Sequence, residues 1–320
     1  MLFDALSILL TDRCNASCDI CCLNCSPRGK RTLAPEKVRK AIRQAGETEG
    51  MEEIRFTGGE PFLYGEKLAD CAAWAKENGL RSVVHTNGFW GADPQKAAAR
   101  TKELKKAGVY KIHFSADPYH QKYVPFSALE TAMRCTREAG ILTEISIMEI
   151  NGSHHCKQVR EAMPEEYEAC ISVSRYPLLP VGRAAAYVKE EQVIKRVLPM
   201  SAKCIFSGMA SLFVDGWYHL CCSMYCDSIP RLRLGHMDEV SFSDLESIVL
   251  SDDCLYVMLK EGFGWYMQRL GEFGAEIPER VCFPCACCQM VFSNQAFLEK
   301  IADEVHERAE RLRREQTNNR

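Results

Sequence analysis

Residues 14–25 read CNASCDICCLNC, five cysteines in twelve positions, directly after an apolar run at Leu6–Thr11. Three of them, Cys14, Cys18 and Cys21, are spaced C-x3-C-x2-C. Three explanations compete for such crowding: a disulfide knot, a zinc site, or an iron–sulfur cluster with an open coordination position. Disulfide scaffolds belong to short chains in oxidising compartments, whereas this chain has 320 residues and 18 cysteines. Its N-terminus, MLFDALSILLTDRC, lacks a basic n-region and Asp4 interrupts the apolar run, so it reads as a first strand rather than a signal peptide. No apolar segment is long enough to span a membrane. The expected compartment is cytoplasmic and reducing, where clustered cysteines bind metal. A closed zinc site takes four ligands, usually from two paired motifs. Three thiolates from one tight loop leave one iron of a [4Fe–4S] cubane uncapped and open to a small molecule.

Working outward, 47% hydrophobic content suffices for a large core, and a net charge of −3 gives no strong pull toward nucleic acid or membrane surfaces. Strand-like runs fall near Leu6–Thr11, Glu53–Thr57, Ser82–Thr86, Lys111–Ser115, Thr143–Ile150 and Ala169–Tyr176. Helical patterns lie between them at Pro35–Ala45, Gly65–Asn78, Pro94–Ala107, Pro125–Ala139 and His154–Met163. Gly79 and Gly108 stand where a helix C-cap requires them. Alternation at this spacing implies parallel βαβ units and an α/β fold, a partial (β/α)6 TIM-like barrel with its chemistry on loops at the C-terminal ends of the strands. The rhythm breaks near PLLPVGR, residues 177–183. The expected organisation is a barrel over 1–185, a small cysteine-rich module over 186–293, and a C-terminal helix and tail over 294–320 with Phe297, Ile301, Val305 and Leu312 as its apolar stripe.

C-x3-C-x2-C after a first strand resembles the radical S-adenosylmethionine (SAM) superfamily, with one departure: the residue before the last cysteine is usually aromatic, and here it is Ile20. The later strand ends strengthen the resemblance, in order: Thr57-Gly58-Gly59-Glu60-Pro61, Thr86-Asn87-Gly88 and Ser115-Ala116-Asp117. It implies that Cys14, Cys18 and Cys21 hold a [4Fe–4S] cluster whose open iron chelates SAM. It also implies that Gly58, Gly59, Glu60, Asn87, Ser115 and Asp117 help to hold SAM. In that family the reduced cluster cleaves SAM and a 5′-deoxyadenosyl radical abstracts hydrogen from the substrate.

Farther along, Cys204 and Cys221 flank a segment whose Asp215-Gly216 turn suits a hairpin presenting a cysteine at its base. Val281-Cys282-Phe-Pro-Cys285-Ala-Cys287-Cys288 follows. These resemble the SPASM and twitch extensions of radical SAM enzymes. No cysteine follows Cys288, so the one-cluster twitch form fits better. The expected auxiliary [4Fe–4S] ligands are Cys204, Cys221, Cys282 and Cys285, with Cys287 or Cys288 able to replace either of the last two; the alternative is a structural zinc site. CNASCDICCLNCSP, FTGGEPF, TNGFWG, SADPYHQKYV, DGWYHLCCS and EGFGWY together look like the epipeptide epimerases, radical SAM enzymes that convert L- to D-residues in ribosomally made peptides. That likeness implies Cα epimerisation with Cys222 as hydrogen-atom donor, a precursor peptide as substrate, and a small electron donor such as a flavodoxin or ferredoxin. Cys226, Cys287 and Cys288 exceed the family pattern. The alternatives are a maturase forming thioether or carbon–carbon links and, from another class, a zinc-binding scaffold.

Other residues get plainer readings. His120 follows Ser115 and Asp117 on one loop, so it either lines the mouth or caps it. His154-His155-Cys156 is a loop or helix start, because adjacent side chains diverge. Cys22 and Cys25 are expected either to shield the first cluster or to pack beneath it, not to ligate it, and Cys71, Cys135 and Cys170 to belong to the core.

Overall fold

The computed structural model describes residues 2–164, 167, 171–197, 202–204, 208–221 and 229–318, with side chains to residue 315. Six strands alternate with helices: β1 (Ala5–Leu9), α1 (Pro35–Gly46), β2 (Glu53–Thr57), α2 (Lys67–Glu77), β3 (Arg81–Thr86), α3 (Pro94–Ala107), β4 (Val109–Ser115), α4 (Pro118–Gln121), α5 (Phe126–Glu138), β5 (Leu142–Glu149), α6 (His155–Ala162) and β6 (Ser172–Pro177). All five neighbouring pairs from β1 to β6 are parallel. The α/β reading is borne out, and Gly79 (φ 75°) and Gly108 (φ 105°) end α2 and α3 as expected. The first residues of the expected sixth strand, with Cys170, lie outside the described residues.

After the short α7 (Ala184–Tyr187) come β7 (Met209–Leu212), β8 (Trp217–His219) and β9 (Arg233–His236). They extend the same sheet, in the order β6-β5-β4-β3-β2-β1-β7-β8-β9. β7 runs parallel to β1, while β8 and β9 are antiparallel additions. The expected hairpin is present: Gly216 (φ 87°) closes its turn by donating to the Phe213 carbonyl at 2.9 Å. Helices α8 (Leu245–Ser251), α9 (Asp253–Glu261), α10 (Gly264–Glu272), α11 (Pro284–Phe292), α12 (Gln295–Lys300) and α13 (Ala302–Asn318) complete the chain. The C-terminal segment is two helices broken at Ile301. Phe297, Ile301 and Val305 are buried, so the predicted apolar stripe is what docks it. Ion pairs from His306 and Arg313 to Asp253 sit at its edge, and exposed pairs of this kind add little. No described helix is long and apolar enough to cross a membrane.

Side chains alternate along the barrel strands. Ile54, Phe56, Val84, Ile112, Phe114, Ile145 and Ile147 are fully buried. Arg55, His85, Lys111, His113, Glu144 and Ser146 occupy the intervening positions, so the opposite face is polar.

The NGFWG stretch turns out to be packing. Gly88 (φ 78°) makes the turn after β3, and Trp90 stacks on Phe62 with centroids 4.5 Å apart while its Nε1 donates to Thr86 Oγ1 at 3.2 Å. Gly91 touches α5 so closely that a Cβ would lie 2.0 Å from the Ala128 carbonyl oxygen and 2.6 Å from the Ala132 nitrogen. Gly91→Ala is expected to destabilise the fold by about 1–3 kcal/mol, the usual penalty for overpacking, as read by chemical denaturation. An unchanged midpoint would contradict this packing.

Candidate active site

Beyond β1 the chain folds into a loop closed at its base. Thr11 bridges Thr32, the Asp12 amide donates to the Arg31 carbonyl at 3.1 Å, and the Asp12 carboxylate accepts from Arg31 N (2.9 Å) and Nε (2.8 Å). The Cys14 amide donates to the Ser26 carbonyl at 3.0 Å. The Gly58-Gly59 turn lies flat against this base. Gly59 N donates to the Thr11 carbonyl at 2.7 Å and Glu60 N to the Arg13 carbonyl at 3.0 Å. A Cβ on Gly58 would meet the Thr11 oxygen at 2.4 Å, and one on Gly59 the Arg13 oxygen at 2.2 Å. Gly58 also has φ 136°. The glycines are therefore required by the loop backbone, whatever else they contact.

Glu60 is fully buried. Its Oε1 accepts from Phe62 N (3.1 Å) and Thr86 Oγ1 (2.8 Å), and its Oε2 from Asn87 N (2.9 Å). Oε2 keeps one further acceptor position. Burial pushes the carboxyl up to about 7 despite these donors. Asn87 carries the connection back to the cysteines: Nδ2 donates to Asn15 Oδ1 at 2.8 Å and approaches Cys14 Sγ at 3.9 Å. Asp117, also fully buried, caps α4. Its Oδ1 accepts from Tyr119 N (3.1 Å), His120 N (3.2 Å) and His120 Nδ1 (2.9 Å), and its Oδ2 from Met148 N (3.4 Å). Burial opposes both charges of this pair, yet mutual attraction wins: the carboxyl is held below its usual value and the imidazole above. His120 thus pairs with Asp117, and Asp117 also caps α4. Ser115 sits at the end of β4 opposite Ser146.

The three thiols suit a cubane. Cys14 and Cys18 are buried and Cys21 is partly so. Cys14 Sγ accepts from Ala16 N at 3.4 Å and faces Asn87 Nδ2, donors that offset only part of the cost of burying a thiolate. Burial raises the Cys14 and Cys18 thiols to about 11 and about 12; Glu60 and Cys21 add to the rise at Cys14, and Cys14 and Cys21 to that at Cys18. The buried Cys25 thiol lies against Cys21 and holds it down at about 6. Cys22 is exposed. Among the described residues no three donors close on a single ion. A cubane does not need them to, because each thiolate takes its own iron.

The second cysteine group forms around the hairpin. Cys204 precedes β7 and Cys221 follows β8, so both lie at the hairpin's open end. On α11, Cys285 and Cys288 are three residues apart and share a face, with Cys287 turned away. Burial raises Cys288 strongly, and its thiol neighbours are Cys221, Cys204, Cys285 and Cys287. Cys282 lies before the helix, with Lys195 and Glu190 near it and Cys287 as its thiol neighbour. Cys222 and Cys226 lie outside the described residues. His155 begins α6 and binds the Met148 carbonyl through Nδ1 at 2.8 Å, so the His-His-Cys run is a helix start. Cys71 and Cys135 are core.

A second polar group, not singled out from the sequence, lies along the barrel strands. His85 and His113 stack at 4.7 Å on the polar face of the sheet. His113 Nε2 is 2.9 Å from Glu144 Oε2, and Ser174 Oγ donates to Glu144 Oε1 at 2.7 Å. Burial lowers the two imidazoles to about 3 and about 4, so both are neutral at pH 7. The signal was present: polar residues at alternate positions of strands that a parallel sheet normally makes apolar throughout.

A family model of the radical SAM superfamily matches residues 8–148. YydG of Bacillus subtilis strain 168, provisionally described as a peptide biosynthesis protein, is 24% identical over 295 residues, spanning 90% of this chain and 92% of YydG. Among solved structures, native anSMEcpe with bound AdoMet and Cp18Cys peptide aligns with a TM-score of 0.55 at 15% identity, covering 96% of this chain and 99% of that one. BtrN in complex with AdoMet and 2-DOIA aligns with a TM-score of 0.50 at 16% identity, covering 92% and 93%. At such identities these two likenesses concern the fold, and they agree on the α/β partial barrel. Residues 8–148 thus carry a domain of the radical SAM superfamily, a family whose cofactors are a [4Fe–4S] cluster and SAM.

Proposed function

We propose that this chain modifies a ribosomally made precursor peptide, and that the modification is L-to-D epimerisation at Cα with Cys222 as hydrogen-atom donor. In this reading Cys14, Cys18 and Cys21 hold the SAM-cleaving cluster. Gly58, Gly59, Glu60, Asn87 and Ser115 form the SAM pocket, and Asp117 keeps its wall in shape. Bound cluster and SAM supply the hydrogen-abstracting radical. Cys222 gives its S–H hydrogen atom to the opposite face of Cα, and one electron and one proton from an external donor restore the thiol. The near full-length likeness to YydG supports a peptide substrate.

The observation that carries the reaction is topological. β8 runs against β7, which runs with β1, so Cys221 returns to the end of the sheet where β1 begins. Cys14 stands beyond the other end. Four residue steps of β1 alone separate these levels by roughly 13 Å. In this reading a radical source beyond one end and a donor next in sequence to Cys221 address opposite faces of the peptide, as inversion requires. Cys222 is the next residue after Cys221 in the sequence and lies outside the described residues.

An auxiliary [4Fe–4S] cluster on Cys204, Cys221, Cys285 and Cys288 belongs to the same proposal. It exchanges the expected Cys282 for Cys288, whose thiol neighbours include the other three.

Two measurements test these assignments. Reaction of the precursor peptide in deuterated water is expected to place one deuterium at each inverted Cα, and Cys222→Ala should abolish it. A cross-linked product without exchange would overturn epimerisation. After anaerobic reconstitution, the wild type should hold about eight irons, and the Cys14/Cys18/Cys21→Ala variant about four. Cys288→Ala should lose the auxiliary four and Cys282→Ala keep them; the reverse would restore Cys282 as ligand. Zinc in place of iron would support a scaffold.

A further inference from the structure

The segment joining the barrel to the second module reaches back into the cysteine loop. Arg183 Nη1 donates to the Cys18 carbonyl at 2.6 Å and Nη2 to the Cys25 carbonyl at 2.7 Å. Its backbone N–H donates to the Cys21 carbonyl at 3.0 Å. One residue therefore satisfies three main-chain acceptors of a loop more than 150 positions earlier in the chain. Gly182 makes the approach possible. Its φ is 58°, and a Cβ there would lie 2.3 Å from the Cys22 carbonyl oxygen and 2.7 Å from that of Cys21.

We infer that Gly182 and Arg183 form a latch that holds the three-cysteine loop in its cluster-binding shape and sets a permanent positive charge beside the cluster thiols. The loop has few apolar contacts of its own with which to hold a shape. Its small buried set is Cys14, Ala16, Cys18, Ile20 and Cys25, closed over by Leu178 and Ala184 from the latch segment. The planar guanidinium fork spans two carbonyls at fixed separation, which a lysine ammonium cannot do. The charge matters for a second reason. Three thiolates around a cubane leave a net negative group that becomes more negative on reduction, and a fixed cation nearby favours the reduced state. Arg183 is a positioning residue in this scheme. Its effect on a cluster rests on the assignment of Cys14, Cys18 and Cys21 as ligands, whereas its hold on the loop does not.

The test uses the full chain as wild type, Arg183→Gln, Arg183→Lys and Gly182→Ala. Backbone hydrogen exchange of the metal-free proteins comes first. Residues 14–25 are expected to exchange on the order of tenfold faster in Arg183→Gln and Gly182→Ala, the effect of losing charge-assisted hydrogen bonds, with α13 unchanged. Arg183→Lys should fall between. If Arg183→Gln loosens the whole chain, Arg183→Lys decides: faster exchange confined to the loop supports the latch. Loop exchange equal to wild type in Arg183→Lys, or in a well-folded Arg183→Gln, overturns it. In the reconstituted proteins, the midpoint potential of the SAM-responsive cluster should fall in Arg183→Gln and stay near wild type in Arg183→Lys. Equal potentials in all three overturn the charge role. A wild type that binds no iron through Cys14, Cys18 and Cys21 overturns the cluster assignment alone, and the exchange result still decides the latch.

Discussion

Two stretches of main chain in direct contact set the geometry of everything at the mouth of the barrel. Thr11–Cys14 runs along the Gly58-Gly59 turn with hydrogen bonds of 2.7 and 3.0 Å and no space for a side chain between them. That contact makes the loop after β1 and the turn after β2 one surface. Glu60 then leads from it to Thr86 and Asn87 at the end of β3, and Asn87 leads back to Asn15 and Cys14. The ring is closed, so a shift in any one strand end is felt at the cysteines. Because Glu60 is buried with three donors on it, breaking the ring leaves unpaired polar groups in the interior, which is costly.

The same sheet that aligns these loops also separates the two thiol groups. A hairpin appended beside β1 has to begin and end at the same level. Cys221, just after β8, therefore lies toward the end of the sheet opposite the first loop, and Cys204 and Cys221 are both neighbours of Cys288. Between the ends lies the polar face of the strands, where Arg55, Lys111, His113 and Glu144 stand on the side away from the helices. The neutral His85–His113 stack contributes hydrogen-bonding capacity there without net charge.

Much of the architecture was legible in the residues. Period-2 and period-3.6 patterns are local, so six strands and the helices between them were placed within a few residues, and Gly79, Gly108 and Gly216 mark turns that only positive φ can make. The C-x3-C-x2-C spacing is local too, and it states its chemistry without a fold. Other features changed meaning in three dimensions. Gly58-Gly59 also makes a main-chain contact, Asp117 also caps a helix, and NGFWG packs against α5.

Local spacing by itself determined where the first thiols are, which elements surround them and that the sheet is parallel, since each depends on residues a few positions apart. The sequence favoured Cys282 yet left Cys287 and Cys288 able to replace it, because Cys282 and Cys288 both stand three positions from Cys285 in a C-x2-C pair. Only the start of α11 at Pro284, which puts Cys285 and Cys288 on one helical face, distinguishes them. Arg183 was likewise silent in the sequence. Its partners are backbone carbonyls, which every residue has, and their direction is set by how a distant loop is folded. Contacts to main-chain atoms across long separations leave no mark on residue identity at the far end, so they emerge only from the tertiary structure.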